Sequence, residues 1–262
     1  DLAVATAREA GAILRDRLGQ ARSIEFKGAV DLVTDADRAS ERLIGERLRA
    51  AFPDHRIVGE EGIASQAGGQ TSTGFVWVVD PLDGTTNYAH GYPHFAVSIG
   101  LVHGDDVVLG VVYDPMRDEL FEAVAGEGTR LNGAPMRVST VDAPIRSLLA
   151  TGFSYDLDER AAQLALWSEL QSQVQGIRRD GAAALNLCYV AAGRLEGFWE
   201  RPLQPWDMAA GSLIVTEAGG RVSALDGGPF RPFAREIVAG NGPLHGRLVE
   251  IIVGASARAA AT

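Results

Sequence analysis

The sequence predicts one layered α/β unit, and three features predict it. Helix-period and strand-period stretches alternate along the 262 residues. Several strand-like runs follow one another with short connections, which suggests antiparallel pairing. Neither an internal repeat nor an obvious linker divides the chain, and its length is ample for a large core. We therefore read residues 1–262 as a single unit with sub-lobes of about 1–145 and 146–262.

Residues 1–18 read as an opening helix. A second runs from about Ala36 to Phe52, with Leu43, Ile44, Leu48, Ala51 and Phe52 on one face, and Pro53-Asp54 ends it. Ile57-Val58 is a short strand leading into Glu60-Glu61. Gly62–Gly74 is rich in Gly, Ser, Thr and Gln and reads as a surface loop. Phe75–Val79 is an apolar run that stops at Asp80-Pro81, like a buried strand. Strands over Phe95–Val102, Val107–Tyr113 and Glu119–Val124 follow, separated by Gly and Asp turns. Gly126-Glu127-Gly128 reads as a hairpin turn, and Asn132-Gly133 is a further turn signal.

In the second half, Ser147–Thr151 reads as a strand and Leu157–Gln173 as a helix. Ala182–Ala192 is helical, with Leu185, Cys188, Tyr189 and Ala192 at helical spacing. A strand over Leu195–Trp199 precedes a helix over Asp207–Ala218, which Gly219-Gly220 stops. Two strands near Arg221–Ala224 and Glu236–Ala239 come before a last helix from about Pro243.

With 46% hydrophobic and 22% charged residues the composition is that of an ordinary globular protein. No run of about 18 apolar residues appears, so a membrane span is not expected. The start, Asp1-Leu2-Ala3, lacks the pattern of a signal peptide and also lacks an initiator Met, which leaves room for residues upstream. The single cysteine, Cys188, has no partner for an internal disulfide and favours a cytoplasmic setting. The net charge of -10 argues against a duplex-binding face, for which Arg178-Arg179 is the nearest candidate. A solvated acidic surface covers most of that excess.

It does not cover certain carboxylates at element ends. Asp37 follows Thr34 at a helix start, Glu60 and Glu61 end a short strand, and Asp207 opens a helix after Pro205-Trp206. Asp80 and Asp83 flank the turn Asp80-Pro81-Leu82-Asp83-Gly84, followed by an exposed polar string, Thr85-Thr86-Asn87. Two carboxylates at 4 Å repel by roughly 4 kcal/mol at an effective dielectric of about 20. From Asp37 to Arg117 the basic residues are Arg38, Arg42, Arg47, Arg49 and Arg56, all in the preceding helix or its exit. A hard divalent cation on oxygen ligands, magnesium, manganese or calcium, is the economical counter-charge. Taken alone, the segment is more often a surface turn in which Asp and Gly serve geometry.

The segment from Trp77 to Tyr88 (Trp77-Val78-Val79-Asp80-Pro81-Leu82-Asp83-Gly84-Thr85-Thr86-Asn87-Tyr88), continued by Gly91 to Gly100, resembles the first signature of the inositol monophosphatase family. Trp206-Asp207-Met208-Ala209-Ala210-Gly211, running on to Glu217-Ala218-Gly219-Gly220, resembles the second. Asp31-Leu32-Val33-Thr34-Asp35-Ala36-Asp37 and Gly59-Glu60-Glu61 are similar to two further blocks, and all four occur in the family's order.

The resemblance implies a layered αβαβα sandwich shared with fructose bisphosphatases, and hydrolysis of a small phosphate monoester by a site of two to three magnesium ions. By that resemblance Glu60, Asp80 and the Leu82 carbonyl hold one ion; Asp80, Asp83 and Asp207 hold a second; a weaker third sits near Glu60. Thr85 and Asp37 are the implied pair that orients and deprotonates the attacking water, in an in-line attack without a phosphoenzyme. Lys27 matches a family lysine loosely, and Glu61 stands behind the site. Asp83, Gly84, Thr85, Ala183, Glu200 and Asp207 are the implied substrate contacts. Glu200 corresponds to a glutamate that binds an inositol hydroxyl; its alternative is a surface charge at a strand end. Arg179-Asp180 beside it could also touch a polyol.

Two positions depart from the pattern. Ala182 removes a hydroxyl common in its block, which bears on substrate contacts, and Asp35 is either a solvated cap residue or a disturbance of Asp37. Cys188 reads as core, and His90 and His94, with Gly91 and Pro93 between them, as loop packing and not a helical zinc pair. The substrate that the resemblance favours is inositol monophosphate, with fructose bisphosphate, NADP or another sugar phosphate as alternatives. It also implies a homodimer, lithium sensitivity and, in some bacterial members, an RNA-polymerase- or ribosome-linked interaction role. A calcium-binding module is the reading furthest from these.

Overall fold

The computed structural model describes residues 1–19, 24–26, 32–63, 74–154 and 156–259. Most of the predicted loop Gly62–Gly74, together with Lys27 and Asp31, lies outside them. In chain order the elements begin with α1 (Leu2–Arg17), β1 (Ile24–Phe26), β2 (Leu32–Thr34), α2 (Asp35–Ala51), β3 (Arg56–Gly59), β4 (Phe75–Asp83) and α3 (Thr85–Ala89). β5 (Ala96–His103), β6 (Asp106–Asp114), β7 (Glu119–Val124), β8 (Thr129–Leu131) and β9 (Ala134–Pro135) follow. The second half holds β10 (Leu148–Thr151), α4 (Leu157–Gln171), β11 (Gly176–Arg178), α5 (Ala183–Ala191), β12 (Gly197–Glu200), α6 (Pro205–Glu217), β13 (Arg221–Ser223), β14 (Ile237–Gly240) and α7 (Gly242–Ala259).

Five layers result. One sheet has the order β3-β4-β5-β6-β7-β8-β9, antiparallel except for the parallel β3–β4 pair. The other has the order β11-β10-β12-β14-β13. The pair α1 and α2 covers the outer face of the first sheet, α5 and α6 fill the space between the sheets, and α4 and α7 back the second. Each interlayer space carries its own apolar cluster: Leu14, Ile44 and Leu48 against Val97 and Ile99 outside; Phe121 and Phe198 around α5 and α6 inside; Leu149, Trp199 and Leu248 behind. The αβαβα expectation holds.

The elements form for local reasons. Thr34 caps α2 in a capping box: its hydroxyl accepts from the Ala36 N–H, and Asp37 accepts from the Thr34 N–H. Gly110 lets α6 lie directly on β6, because a Cβ there would stand 2.5 Å from the Ala210 carbonyl oxygen.

Three readings need correction. β4 does not end at Val79 but runs on to Asp83. What looked like a turn is an irregularity inside a strand, opposite β5. The string Thr85-Thr86-Asn87 is not an exposed loop but the half-buried start of α3. The short strands β1, β2, β8, β9 and β11 were not predicted; runs of two or three residues are too short to show a period. Asn132-Gly133 does turn β8 into β9.

Candidate active site

Asp80 pairs with Ser98 and Asp83 with Ala96, so three steps along β4 answer two along β5. In an unbroken strand, side chains three apart point to opposite faces. The extra residue of the bulge cancels that and brings both carboxylates to one cavity. Both are buried, at 2% and 7% exposure. Gly84 then takes φ 95, a left-handed turn where a side chain would also press on the His94 and Gly181 carbonyls, and α3 starts at once.

The cavity has a volume near 610 Å³ and lies where the two halves of the chain meet. Its lining includes every predicted ion ligand, Glu60, Asp80, Leu82, Asp83 and Asp207. It also includes Gly84, Thr85, Ala183 and Glu200 of the predicted substrate contacts. Asp37 is wholly buried behind it and touches it through Thr85. Ala182 is buried away from the lining, so the hydroxyl it lacks is not missing from this wall. Asp35 turns to Arg17 at 3.0 Å and leaves Asp37 undisturbed. Cys188 is core, and α3 stops at Ala89, so no helix carries both His90 and His94.

Most of the acids are tied to backbone donors. Asp80 accepts from the Leu82 N–H at 2.9 Å, and Asp207 from the Gln204 N–H at 2.7 Å in a capping box on α6. Asp83 accepts from the Ala183 and Ala184 N–H groups at 3.1 and 2.9 Å, so a residue of the first half caps α5 of the second. Asp37 accepts from the Thr34 N–H at 2.9 Å and its hydroxyl at 2.5 Å. One stretch of α2 also pins the neighbouring segments. Ser40 donates to the Pro81 carbonyl at 2.8 Å, and Glu41 accepts from the Glu61 N–H at 2.8 Å. Asn87 donates to the carbonyls of His94 and Asp180 at 2.8 and 2.7 Å, closing the two halves around the cavity.

The electrostatics of this wall are unbalanced. Burial, reinforced by the charges of Glu60, Asp83 and Asp207, holds the Asp80 carboxyl well above the ordinary range. Burial and the Asp207 charge do the same to Asp83. Burial raises Asp207 to about 6 against the pull of the Gln204 N–H, and it stands close enough to Asp80 to share a hydrogen bond. Glu200 is pushed up to about 8, by burial and then by Asp207. Burial also raises Asp37 to about 6, against its bonds to Thr34. Among the described residues no three such side chains are gathered tightly enough to hold an ion as they stand. The donors fit a hard cation: carboxylates and the Leu82 carbonyl, with no His or Cys in the lining.

The lining also contains Gly152, Phe153, Ser154, Trp206 and Arg235, which the sequence reading missed. A signal for the first three was present, since they follow directly on β10, and ligands gather at the carboxyl ends of parallel strands. Gly152 makes room for Glu200, whose carboxyl a Cβ there would overlap. Arg235 carries no such signal.

The sequence profile of the inositol monophosphatase family matches residues 1–257. An inositol-1-monophosphatase of Synechocystis is 46% identical, over 96% of this chain and 88% of that one. The Nus factor SuhB of Escherichia coli is 43% identical, over 92% and 90%. The solved inositol monophosphatase of Anabaena superposes with a TM-score of 0.86 at 41% identity, covering 97% of this chain and 94% of that chain. The chain belongs to the inositol monophosphatase family and is a phosphoric monoester hydrolase.

Proposed function

We propose that this chain hydrolyses a small phosphate monoester with bound magnesium, and that inositol monophosphate is its leading substrate. The observation that carries the reading is the carboxylate wall of buried Asp80 and Asp83 with half-buried Asp207 and Glu60, facing one cavity with no basic side chain among them. Two to three magnesium ions on that wall would neutralise it, draw in the ester's phosphate and acidify a bound water.

The protein's own residues do the rest. Thr85 Oγ lies 3.2 Å from Asp37 Oδ1 and 3.0 Å from the Leu82 carbonyl oxygen, and its single proton goes to one of them. In the reactive arrangement it goes to Asp37. Thr85 takes a proton from water as it passes its own to Asp37, which burial has tuned to about 6, near the working range of a base. The water oxygen attacks phosphorus, the P–O ester bond breaks opposite, and the leaving oxygen takes a proton from a second water to depart as the alcohol. Gly84 and Thr85, at the start of α3, present backbone N–H groups towards phosphate oxygens. Ala183 and Glu200 face the polyol.

Phosphate release from inositol 1-phosphate, fructose bisphosphate and NADP, each with magnesium and with EDTA, tests this. Magnesium-dependent release from inositol 1-phosphate is expected. Release that EDTA leaves intact overturns the metal role, and release only from another ester overturns the substrate. Calcium in place of magnesium should inhibit, as a larger ion positions water poorly. By the family resemblance we also expect a lithium-sensitive homodimer, and the lone, buried Cys188 suits a cytoplasmic setting.

A second role as an interaction protein is favoured by one fact, the Nus-factor name of the Escherichia coli relative. Asp207→Asn separates the two: its amide oxygen still accepts from the Gln204 N–H, so it should remove hydrolysis and leave a purely structural role intact.

A further inference from the structure

A stripe along α2 carries Asp37, Glu41, Gly45 and Arg49, each about one helical turn after the last. Asp37 is the proposed base behind Thr85. The other three dock onto the segment that follows β3, and that segment carries Glu60. Glu41 Oε1 accepts from the Glu61 N–H at 2.8 Å. Gly45 leaves room for the Ile63 side chain, since a Cβ there would stand 2.0 Å from Ile63 Cδ1. Arg49 donates to the Ile63 carbonyl at 3.2 Å.

Glu41 is only 6% exposed and does not line the cavity. Taking a carboxylate out of water costs free energy that an apolar side chain of the same length would not. Packing alone does not call for an acid here. What the carboxylate supplies is a charge-assisted acceptor for the backbone beside Glu60. The chain makes space for it: a Cβ on Gly59 would come within 2.5 Å of Glu41 Oε1. At Asp80, Asp83 and Asp207 a backbone N–H donates to the carboxylate that faces the cavity. Beside Glu60 the direction reverses, and the backbone N–H donates outward to α2.

We infer that Glu41 is a positioning residue: it acts through Glu60, holding that carboxylate at the ion site in register with Asp37 one turn away. The inference rests on the reading that Glu60 holds an ion.

The test is a double-mutant cycle read by calorimetric titration with magnesium alone. Glu41→Met keeps the length of the side chain and removes the acceptor. It should weaken magnesium binding about ten- to a hundredfold, the loss expected when a group that orients a metal ligand is removed. Glu60→Gln should weaken binding as well. The two changes together should cost little more than Glu60→Gln alone, because Glu41 acts only through Glu60. Glu41→Gln, whose amide oxygen can still accept from the Glu61 N–H, should recover most of the affinity. Arg49 is exposed, so Arg49→Met keeps the fold even if Glu41→Met does not. It should weaken magnesium in the same direction by a smaller factor, and again not on top of Glu60→Gln. Losses that add to that of Glu60→Gln, unchanged affinity in the Met variants, or a Glu41→Gln variant as weak as Glu41→Met overturns the positioning role. Failure of the ion reading looks different: Glu60→Gln itself then binds magnesium as the wild type does.

Discussion

The two ends of the cavity are built by opposite rules. At the carboxylate end Asp37, Asp80, Asp83 and Asp207 each accept a hydrogen bond from a backbone N–H, and α2 holds the segments behind them. At the other end the Glu200 carboxyl accepts no hydrogen bond among the described residues, and Arg179 and Arg235 stand unpaired. A backbone donor fixes a carboxylate while leaving its other lone pairs for a cation. Side chains without internal partners instead leave their hydrogen bonds to be completed by a ligand. The first arrangement suits chemistry common to many esters, and the second suits choice among them.

The largest effect should come from the most crowded acid. Asp80→Asn is expected to lower phosphate release about a thousandfold. The same change removes a buried charge whose ionised form burial and three neighbouring acids disfavour, so the metal-free protein should melt higher near neutral pH. The rise in melting temperature on adding magnesium should shrink. Lost activity without these two thermal changes would mean that the wall is not under charge strain, and the contrast between the ends would fail.

Thr85→Val and Asp37→Asn come next, each costing about 10²- to 10⁴-fold in kcat, as expected for removal of a proton acceptor. The base must be ionised to act. Wild-type kcat should therefore fall as pH drops through about 6, the value to which burial raises Asp37. In Asp37→Asn that limb of the profile should vanish. An unchanged limb would assign it to another group.

How much of this was legible in the sequence follows the same division. The carboxylate end sits in local motifs: Asp80 to Thr85 are contiguous, and Asp207 stands at a helix start marked by Pro205. The layers were legible because α2, α6 and the long strands are long enough to show a period. The bulge was not, since a register shift is decided by the opposing strand. Nor was the bond from Asp83 to α5, a contact between residues 100 apart that only the packed halves create. The outer end was only partly legible: Glu200 and Arg179 could be read from the sequence as polyol contacts, whereas Arg235 comes from a separate loop that carries no such signal.

A smaller effect tests the support behind the wall. Ser40 is wholly buried on α2 and does not line the cavity, yet it donates to the Pro81 carbonyl inside the bulge. Ser40→Ala should leave that carbonyl unpartnered, costing about 1–3 kcal/mol of stability. Magnesium affinity should weaken by about ten- to a hundredfold, as when a group that orients a metal ligand is lost. Calorimetric titration with magnesium separates this from mere destabilisation, and Ser40→Thr, which restores the hydroxyl, should recover the affinity. An Ala variant that melts earlier but binds magnesium normally would confine Ser40 to folding.

The smallest effect belongs to the loose end. Glu200 is raised to about 8, by burial first and then by Asp207, so at neutral pH without ions the group is mostly a neutral acid. Glutamine is its near-isostere in that state, and Glu200→Gln should change the KM for a polyol phosphate by no more than about fivefold. The sign of the stability effect follows from the direction of the shift. A carboxyl raised in the folded state favours folding fully only below its unfolded value, about 4.3, and that contribution is lost as pH rises towards about 8. Metal-free wild type should therefore lose more stability between pH 5 and pH 8 than Glu200→Gln does. The other buried acids titrate alike in both proteins, so the difference between the two melting curves isolates Glu200. Parallel curves would show that Glu200 is ionised throughout, and then a cation or a guanidinium such as that of Arg179 holds its charge at the outer end too.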